Sequence, residues 1–231
     1  MTDLLMAKTA KKKALDPLKR KIYIVEDHPV FREGLVQVLE QEKDLEVCGE
    51  AGDAERGLRD ILRLRPDLAI IDITLPGRSG LDLIKELKKR KLPLKILVVS
   101  MHDEALYADR VLRAGGDGYI MKQEDPSEIV HAARDVLNGH VYVSEDVVAG
   151  RRSSSRSSKP AKNERPLEKL TDSELELLEL LGSGISSKEI AHHLRVEGST
   201  VNTRCAQVRK KLNLPSLNAL ICYAARNVDG T

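Results

Sequence analysis

Residues 68–77 read Leu68-Ala69-Ile70-Ile71-Asp72-Ile73-Thr74-Leu75-Pro76-Gly77, and they carry the strongest structural signal in this chain of 231 residues. Four apolar residues end near one carboxylate, and a Pro-Gly pair then breaks the pattern. An unbroken apolar run is typical of a strand that is buried on both faces of a parallel sheet. Because open α/β folds place their chemistry at the carboxyl ends of such strands, we expect Asp72 to lie in a site for phosphate and metal.

Around this run, residues 22–137 alternate between strand and helix patterns. Predicted strands cover residues 22–25, 45–49, 68–71, 94–100 and 118–121, and predicted helices cover residues 30–39, 54–64, 81–87, 105–114 and 127–137. Five strands joined by helices imply right-handed crossover connections. The predicted fold class is therefore α/β, a doubly wound five-stranded parallel sheet.

Four further polar side chains stand at predicted strand ends. Glu26 and Asp27 follow the first strand, Ser100 ends the fourth and Lys122 follows the fifth. The clustered carboxylates would repel one another unless a cation joined them, and hard oxygen ligands suit Mg²⁺. A carboxylate that accepts a phosphoryl group would then have a metal to neutralise charge and a lysine for the phosphoryl oxygens.

Composition limits the class of protein. The length fits one or two domains, and the net charge of +2 does not by itself indicate nucleic acid or membrane as a partner. Three unclustered cysteines argue against a disulfide framework and favour reduced thiols. No apolar run is long enough for a membrane span and the N-terminus lacks a signal-peptide pattern, so we expect a cytoplasmic protein without a membrane partner.

Changes in composition divide the chain into four parts. Residues 1–20 form a basic N-terminal extension, for which a nucleic-acid-binding arm is the alternative to a mobile tail. Residues 21–143 hold the α/β domain. Residues 144–166 are rich in serine and arginine and predict a flexible linker. Residues 167–231 form a second domain, predicted to be all-α with four helices.

Helix signals in the second domain predict a helix-turn-helix. Thr171 with Glu174, and Ser186 with Glu189, have the capping-box spacing that starts a helix. A third helix is expected from about Ser199, with one apolar stripe formed by Val201, Cys205, Val208 and Leu212. A fourth helix covers residues 217–225. A short capped helix followed by a longer polar one is the layout in which the second helix enters the major groove of DNA.

Local charge supports that interpretation. Between Arg195 and Lys211 five basic side chains stand against Glu197, which is a local charge of +4. A basic stretch of this kind on a helix attracts the phosphates of nucleic acid, although a solvated helix face would show a similar run. The sequence thus favours a DNA-binding surface on the third helix.

The first domain resembles the receiver domain of two-component response regulators, which is flavodoxin-like. The resemblance rests on Glu26-Asp27, the Leu75-Pro76-Gly77 turn with Gly80 after Asp72, Ser100 and Lys122. It implies that Asp72 accepts a phosphoryl group from a histidine kinase. It also implies that Asp27, Asp72 and the Thr74 carbonyl bind Mg²⁺ directly and Glu26 binds it through water. Ser100 and Tyr119 would be the switch pair, and Lys122 would contact the phosphoryl group.

The second domain resembles the LuxR-type output domain, so that the whole chain resembles a NarL/FixJ-type response regulator. This resemblance implies phosphate contacts from Lys188, Arg209 and Lys210, and it places Asn202, Thr203 and Arg204 at base edges. Thr200 belongs to the same DNA-binding set. The chain has Glu197-Gly198 where the family commonly has serine and glutamate. The usual N-cap is then missing, and Ser199 is expected to cap the helix one step later.

These expectations leave three functional hypotheses. The first is a transcription regulator in which phosphorylation of Asp72 favours a homodimer that binds double-stranded DNA. The second is a regulator that binds DNA without phosphorylation and uses the receiver as a dimer scaffold. The third is an aspartyl-nucleophile phosphatase, but that chemistry generally needs a second acid at the position of Thr74. The sequence therefore favours a phosphoacceptor over an enzyme.

Overall fold

The computed structural model describes residues 19–144, 147, 166–194 and 196–227. Most of the predicted basic extension, nearly all of the predicted linker and Arg195 lie outside the described residues. The flexibility of the linker and the role of the extension therefore stay predictions. Within the described residues, no helix is long and apolar enough to cross a membrane.

The first domain is the expected doubly wound sheet. Its strands are β1 (Arg20–Val25), β2 (Leu45–Ala51), β3 (Leu68–Ile71), β4 (Lys95–Ser100) and β5 (Gly118–Met121). Its helices are α1 (Pro29–Glu40), α2 (Ala54–Leu64), α3 (Gly80–Lys89), α4 (Glu104–Ala114) and α5 (Pro126–Leu137). All strand pairs are parallel, in the order β2-β1-β3-β4-β5. This is the flavodoxin-like order, whose switch point lies between β1 and β3.

Strand β3 is buried on both faces, as its apolar sequence predicts. Because successive side chains of a strand point to opposite faces, Leu68 and Ile70 pack in the layer under α1 and α5. Ala69 and Ile71 pack in the opposite layer, which also contains side chains of α2, α3 and α4. The side chains packed on both faces fix the position of β3 in the sheet. They therefore also fix the position of Asp72, which lies just beyond the end of the strand.

The predicted bounds differ from the observed ones by at most two residues in the sheet domain. One of the two-residue corrections concerns β1, which begins at Arg20 and not at residue 22. The Arg20 N–H donates to the carbonyl of Asp44 at 2.8 Å, and its guanidinium contacts the carboxylate of Asp67 at 3.2 Å. Arg20 thus belongs to the sheet, although the sequence placed it in the basic extension.

The second domain contains four helices in its described part. A 3₁₀ turn at Pro166–Lys169 precedes α6 (Asp172–Gly182), α7 (Ser187–His193), α8 (Gly198–Lys211) and α9 (Leu217–Asn227). The Ser186 N–H donates to the Glu189 carboxylate at 2.8 Å and the Glu189 N–H to the Ser186 hydroxyl at 3.3 Å, which confirms that capping box. The Thr171 N–H likewise donates to the Glu174 carboxylate at 2.7 Å.

The start of α8 differs from the prediction. The helix begins at Gly198 with Glu197 at the N-cap position, and no side chain caps it there. Ser199 lies inside the first turn, where its hydroxyl donates to the Glu197 carboxylate at 3.3 Å. The expectation that Ser199 caps the helix is therefore wrong, because its hydroxyl bonds to a side chain and not to a backbone N–H.

Candidate functional site

The carboxyl edge of the sheet brings three predicted site residues into one ion-pair network. Nζ of Lys122 lies 2.8 Å from a carboxylate oxygen of Asp72 and 2.7 Å from one of Glu26. Asp72 and Glu26 are only 3% and 2% exposed. Buried charges of this kind require partners, and one lysine here serves two acids. The network therefore keeps a surplus negative charge among the buried groups.

The electrostatics of this network follow from burial. Burial, and then the charge of Asp72, raise the pKa of Glu26. Burial alone would lower the pKa of Lys122, but the charge of Asp72 and the hydrogen bonds to Asp72 and Glu26 hold it above its ordinary value. Lys122 thus stays cationic near neutral pH. An ammonium fixed beside Asp72 can neutralise the oxygens of a group transferred to that carboxylate.

The acidic pocket also offers ligand atoms for a metal ion. Glu26, Asp27, His28 and Asp72 each present one ligand atom, and these atoms all lie within 4.8 Å of one another. A buried oxygen of Asp27 lies 3.0 Å from Nδ1 of His28, yet it accepts no hydrogen bond within the described residues. An orphaned carboxylate oxygen in a cluster of hard ligands suits Mg²⁺, so the residues fit that ion. His28 is 62% exposed and lies at the rim.

Two glycines shape the loop that follows Asp72. Gly77 has a φ of 79°, a left-handed conformation that glycine adopts without strain. A Cβ atom at Gly80 would lie 1.9 Å from the carbonyl oxygen of Asp72, so only glycine allows this approach. The N–H of Gly80 donates to the Ile73 carbonyl at 2.8 Å. These two positions bring the start of α3 against the backbone that follows β3.

The predicted switch residues meet at His102. The N–H of His102 donates to the Ser100 hydroxyl at 3.4 Å, and its carbonyl accepts a hydrogen bond from the Tyr119 hydroxyl at 2.7 Å. Ser100 and Tyr119 are buried. Burial raises the pKa of Tyr119 far above its ordinary value, against an opposing hydrogen bond from Ser100. Tyr119 therefore remains a neutral hydrogen-bond donor inside the fold.

His102 is a site residue that sequence reasoning missed. Its Nε2 atom lies 2.8 Å from the hydroxyl oxygen of Thr74, and its Nδ1 atom contacts the carboxylate of Glu179 in the second domain. The position of His102 two residues after Ser100 was the available signal. No sequence pattern indicates the contact with Glu179, since this contact depends on how the two domains pack.

An apolar groove lies beside the acidic pocket, between α1 and α5. Its volume is about 590 Å³, and Phe31, Ile129 and Lys122 are among its lining residues. Val30 and Met101 on its rim are 84% and 58% exposed. Exposed apolar side chains next to a reactive centre are typical of a surface that meets another protein.

The predicted DNA-binding side chains lie on the outside of the second domain. Lys188, Asn202, Thr203 and Lys210 are exposed, and Thr200, Arg204 and Arg209 are partly exposed. The opposite side of α8 is buried through Val201, Cys205 and Val208, as its apolar stripe predicts. The hydroxyl of Thr203 donates to the carbonyl of Ser199 at 2.9 Å and is thus already engaged within the helix.

Comparison with known protein families identifies both domains. Residues 22–134 match the response regulator receiver domain, and residues 168–224 match the LuxR family of bacterial regulatory proteins. The chain belongs to the NarL/FixJ-type family of two-component response regulators. Relatives with both domains are named as transcription regulators, so this chain is a regulator and the phosphatase hypothesis loses its support.

Individual relatives of this response regulator align over nearly the whole chain. The nitrate/nitrite response regulator protein NarL of Escherichia coli is 32% identical over 84% of this chain and 90% of its own length. The oxygen regulatory protein NreC of Staphylococcus epidermidis is 33% identical over 89% of this chain and 97% of its own. The solved structure of the Salmonella typhimurium response regulator RcsB has a TM-score of 0.64 at 26% identity and covers 91% of this chain and 99% of its own.

Proposed function

We propose that this response regulator accepts a phosphoryl group on Asp72 from a histidine kinase and thereby controls its binding to DNA. The observation that carries the proposal is the network of Asp72, Glu26 and Lys122. A buried carboxylate beside a cationic lysine at the sheet edge can attack a phosphorus atom while the lysine neutralises the oxygens. The carboxylate oxygen forms the new P–O bond, and the P–N bond to the kinase histidine breaks.

Other residues of the pocket support the transfer. Asp27, Asp72, Glu26 and the Thr74 carbonyl would hold Mg²⁺, which supplies charge neutralisation when it is bound. The Ser100 hydroxyl would hydrogen-bond a phosphoryl oxygen, and Tyr119 would respond through its bond to the His102 carbonyl. The groove between α1 and α5 gives the kinase an apolar surface next to Asp72.

The second domain would supply the output. Lys188, Arg209 and Lys210 would contact phosphates, and Asn202, Thr203 and Arg204 would face base edges, with Thr200 at the start of the helix. Phosphorylation would favour a homodimer, because two-fold related helix-turn-helix units bind two half-sites of DNA. The place of action is the cytoplasm, where the chain meets chromosomal DNA.

Phosphodonor labelling tests the acceptor assignment. Full-length protein is incubated with acetyl phosphate and Mg²⁺, and phosphorylated protein is separated by its reduced mobility on a phosphate-affinity gel. Wild type is expected to shift, whereas Asp72→Asn stays unshifted because the amide cannot accept the group. Asp82→Asn is the matched control, since Asp82 is an exposed carboxylate on α3. Equal labelling of wild type and Asp72→Asn would exclude Asp72 as the acceptor.

Selection of bound fragments from a random DNA pool tests the output. The selection is carried out with and without acetyl phosphate, and the recovered sequences are then used to measure affinity. Phosphorylation is expected to increase binding to paired half-sites. Unchanged binding in both the phosphorylated protein and Asp72→Asn would instead favour the regulator that acts without phosphorylation.

A further inference from the structure

A chain of three side chains connects the loop after Asp72 with the DNA-binding domain. The hydroxyl of Thr74 lies 2.8 Å from Nε2 of His102, and Nδ1 of His102 contacts the carboxylate of Glu179 on α6. The hydroxyl of Tyr107 on α4 donates to the same carboxylate at 3.1 Å. His102 is therefore the single side chain between Glu179 and Thr74, which lies in the loop after Asp72.

His102 is held firmly in this chain. Its side chain is 16% exposed, and its ring stacks on the Tyr107 ring with centroids 4.5 Å apart. The hydrogen bond to the Glu179 carboxylate requires a proton on Nδ1, so this contact favours the forms of the ring that carry one and leaves Nε2 facing the Thr74 hydroxyl. The contact with Glu179 thus fixes the orientation of the ring and the place of that hydroxyl.

The same histidine anchors the switch residues through its backbone. Ser100 accepts a hydrogen bond from the His102 N–H, and Tyr119 donates one to the His102 carbonyl. A phosphoryl group on Asp72 would need the Ser100 hydroxyl for its oxygens. Since Glu179 holds His102 in its present place, it also holds Ser100 and Tyr119 in the arrangement of the unmodified pocket.

Charge adds to this effect. The Glu179 carboxylate of the DNA-binding domain lies one side chain from the loop that follows Asp72, beside a pocket in which one lysine serves two acids. A phosphoryl group would add further negative charge there, and like charges at short range repel. Phosphorylation of the pocket and the contact with α6 therefore oppose each other.

Other contacts keep α6 on this face of the receiver. The guanidinium of Arg110 donates to the carbonyls of Leu167 and Leu170 at 2.6 and 2.8 Å. It also lies 3.1 Å from the carboxylate of Asp172, which Lys85 contacts at 2.9 Å. These bonds hold the start of the DNA-binding domain against α3 and α4, so that Glu179 stays within reach of His102.

We propose that Glu179 of the DNA-binding domain is a positioning residue for phosphoryl transfer and acts through His102 to slow phosphorylation of the receiver. The proposal rests on the assignment of Asp72 as the acceptor. Equilibrium coupling between two sites is reciprocal, so a contact with Glu179 that disfavours the phosphorylated pocket is itself weakened by a phosphoryl group on Asp72. The DNA-binding domain thus influences the rate of the phosphorylation that controls its own activity.

The initial rate of labelling by acetyl phosphate with Mg²⁺ tests the proposal in the full-length protein. Glu179→Ala is expected to raise this rate about fivefold, which corresponds to about 1 kcal/mol of activation free energy. Glu179→Gln keeps an oxygen that accepts from Nδ1 of His102, and its rate should lie between those of wild type and Glu179→Ala. Tyr107→Phe removes the second hydrogen bond to Glu179 but leaves the histidine contact, so its rate should stay near that of wild type.

A double variant separates this path from a general loosening of the domains. In a His102→Ala background, Glu179→Ala should produce little further increase, because the residue through which it acts is gone. A full fivefold increase in that background would overturn the proposal. Circular dichroism of each variant verifies that it is folded.

Asp72→Asn separates failure of this proposal from failure of the acceptor assignment. If Asp72→Asn stays unlabelled while Glu179→Ala reacts at the wild-type rate, the role of Glu179 is overturned and the acceptor stands. If Asp72→Asn is labelled like wild type, the acceptor assignment itself fails.

Discussion

Each domain buries carboxylates against a lysine, but the two arrangements differ in their balance of charge. In the receiver, Lys122 contacts both Glu26 and Asp72, and burial with the second acid raises the pKa of Glu26. In the described part of the DNA-binding domain, Lys211 lies 2.6 Å from the Glu174 carboxylate and pairs with no second acid. Two acids that share one lysine leave negative charge that a ligand can neutralise. One acid paired with one lysine has no net charge. The first arrangement therefore suits the proposed phosphoryl and metal site, and the second suits a structural role.

Hydrogen bonding to the acids also distinguishes the two arrangements. The Glu174 carboxylate also accepts the N–H of Thr171 at 2.7 Å, so this acid satisfies the start of α6. In the pocket, a buried oxygen of Asp27 accepts no hydrogen bond within the described part of the chain. An unsatisfied buried acceptor is costly in a purely structural network, so its presence supports the proposed Mg²⁺ site. The comparison can be tested by removing each lysine in turn.

Removal of Lys122 should produce the largest effect. In Lys122→Met, Glu26 and Asp72 remain buried without a cation, which should lower the free energy of unfolding by about 3 kcal/mol at neutral pH. Urea unfolding followed by circular dichroism measures the change. Lys89→Met is the control, because Lys89 is 74% exposed and its loss should change stability by about 0.5 kcal/mol or less. A loss below about 1 kcal/mol in Lys122→Met would contradict this expectation. It would show that Glu26 and Asp72 remain buried side by side without the charge of the lysine.

Magnesium should stabilise the receiver by an amount that depends on concentration. At an excess of about a hundredfold over the dissociation constant, a ligand of the native state adds about 2.7 kcal/mol to the free energy of unfolding. Removal of the ion with a chelator should reverse the gain. Asp27→Asn should lose most of it, while Glu174→Gln should keep it in full because that carboxylate lies outside the pocket. Equal gains in both variants would place the metal elsewhere.

Removal of Lys211 should cost less than removal of Lys122. In Lys211→Met, Glu174 keeps its hydrogen bond to Thr171, and Lys211 is itself 37% exposed, so solvent already screens the pair. We expect a loss of about 1 kcal/mol in the same urea experiment. A loss equal to that of Lys122→Met would remove the distinction between the two arrangements.

The pocket could be predicted from the sequence because each of its members follows a short apolar strand. Chain order and the parallel sheet then bring Asp72, Glu26 and Lys122 to one edge. Neither the start of α8 nor the role of His102 could be predicted in this way. The Ser199 hydroxyl can hydrogen-bond either a backbone N–H or a side chain, and the sequence pattern is the same in both cases. His102 contacts Glu179 only because the two domains pack together. Contacts of this kind depend on side-chain direction and not on periodicity.

Acid titration should give the smallest and most specific difference between the two arrangements. Burial alone would raise the pKa of Glu174, but hydrogen bonds from Lys211 and Thr171 hold it below its ordinary range. A carboxylate whose pKa is lower in the folded state stabilises the fold above its unfolded pKa, and this contribution is lost as the pH falls through the folded pKa. The free-energy difference between wild type and Glu174→Gln should therefore be constant near neutral pH and shrink from about pH 5 downward. A difference that stays constant into acid would mean that Glu174 titrates alike in both states and that Lys211 adds nothing to its ionised form.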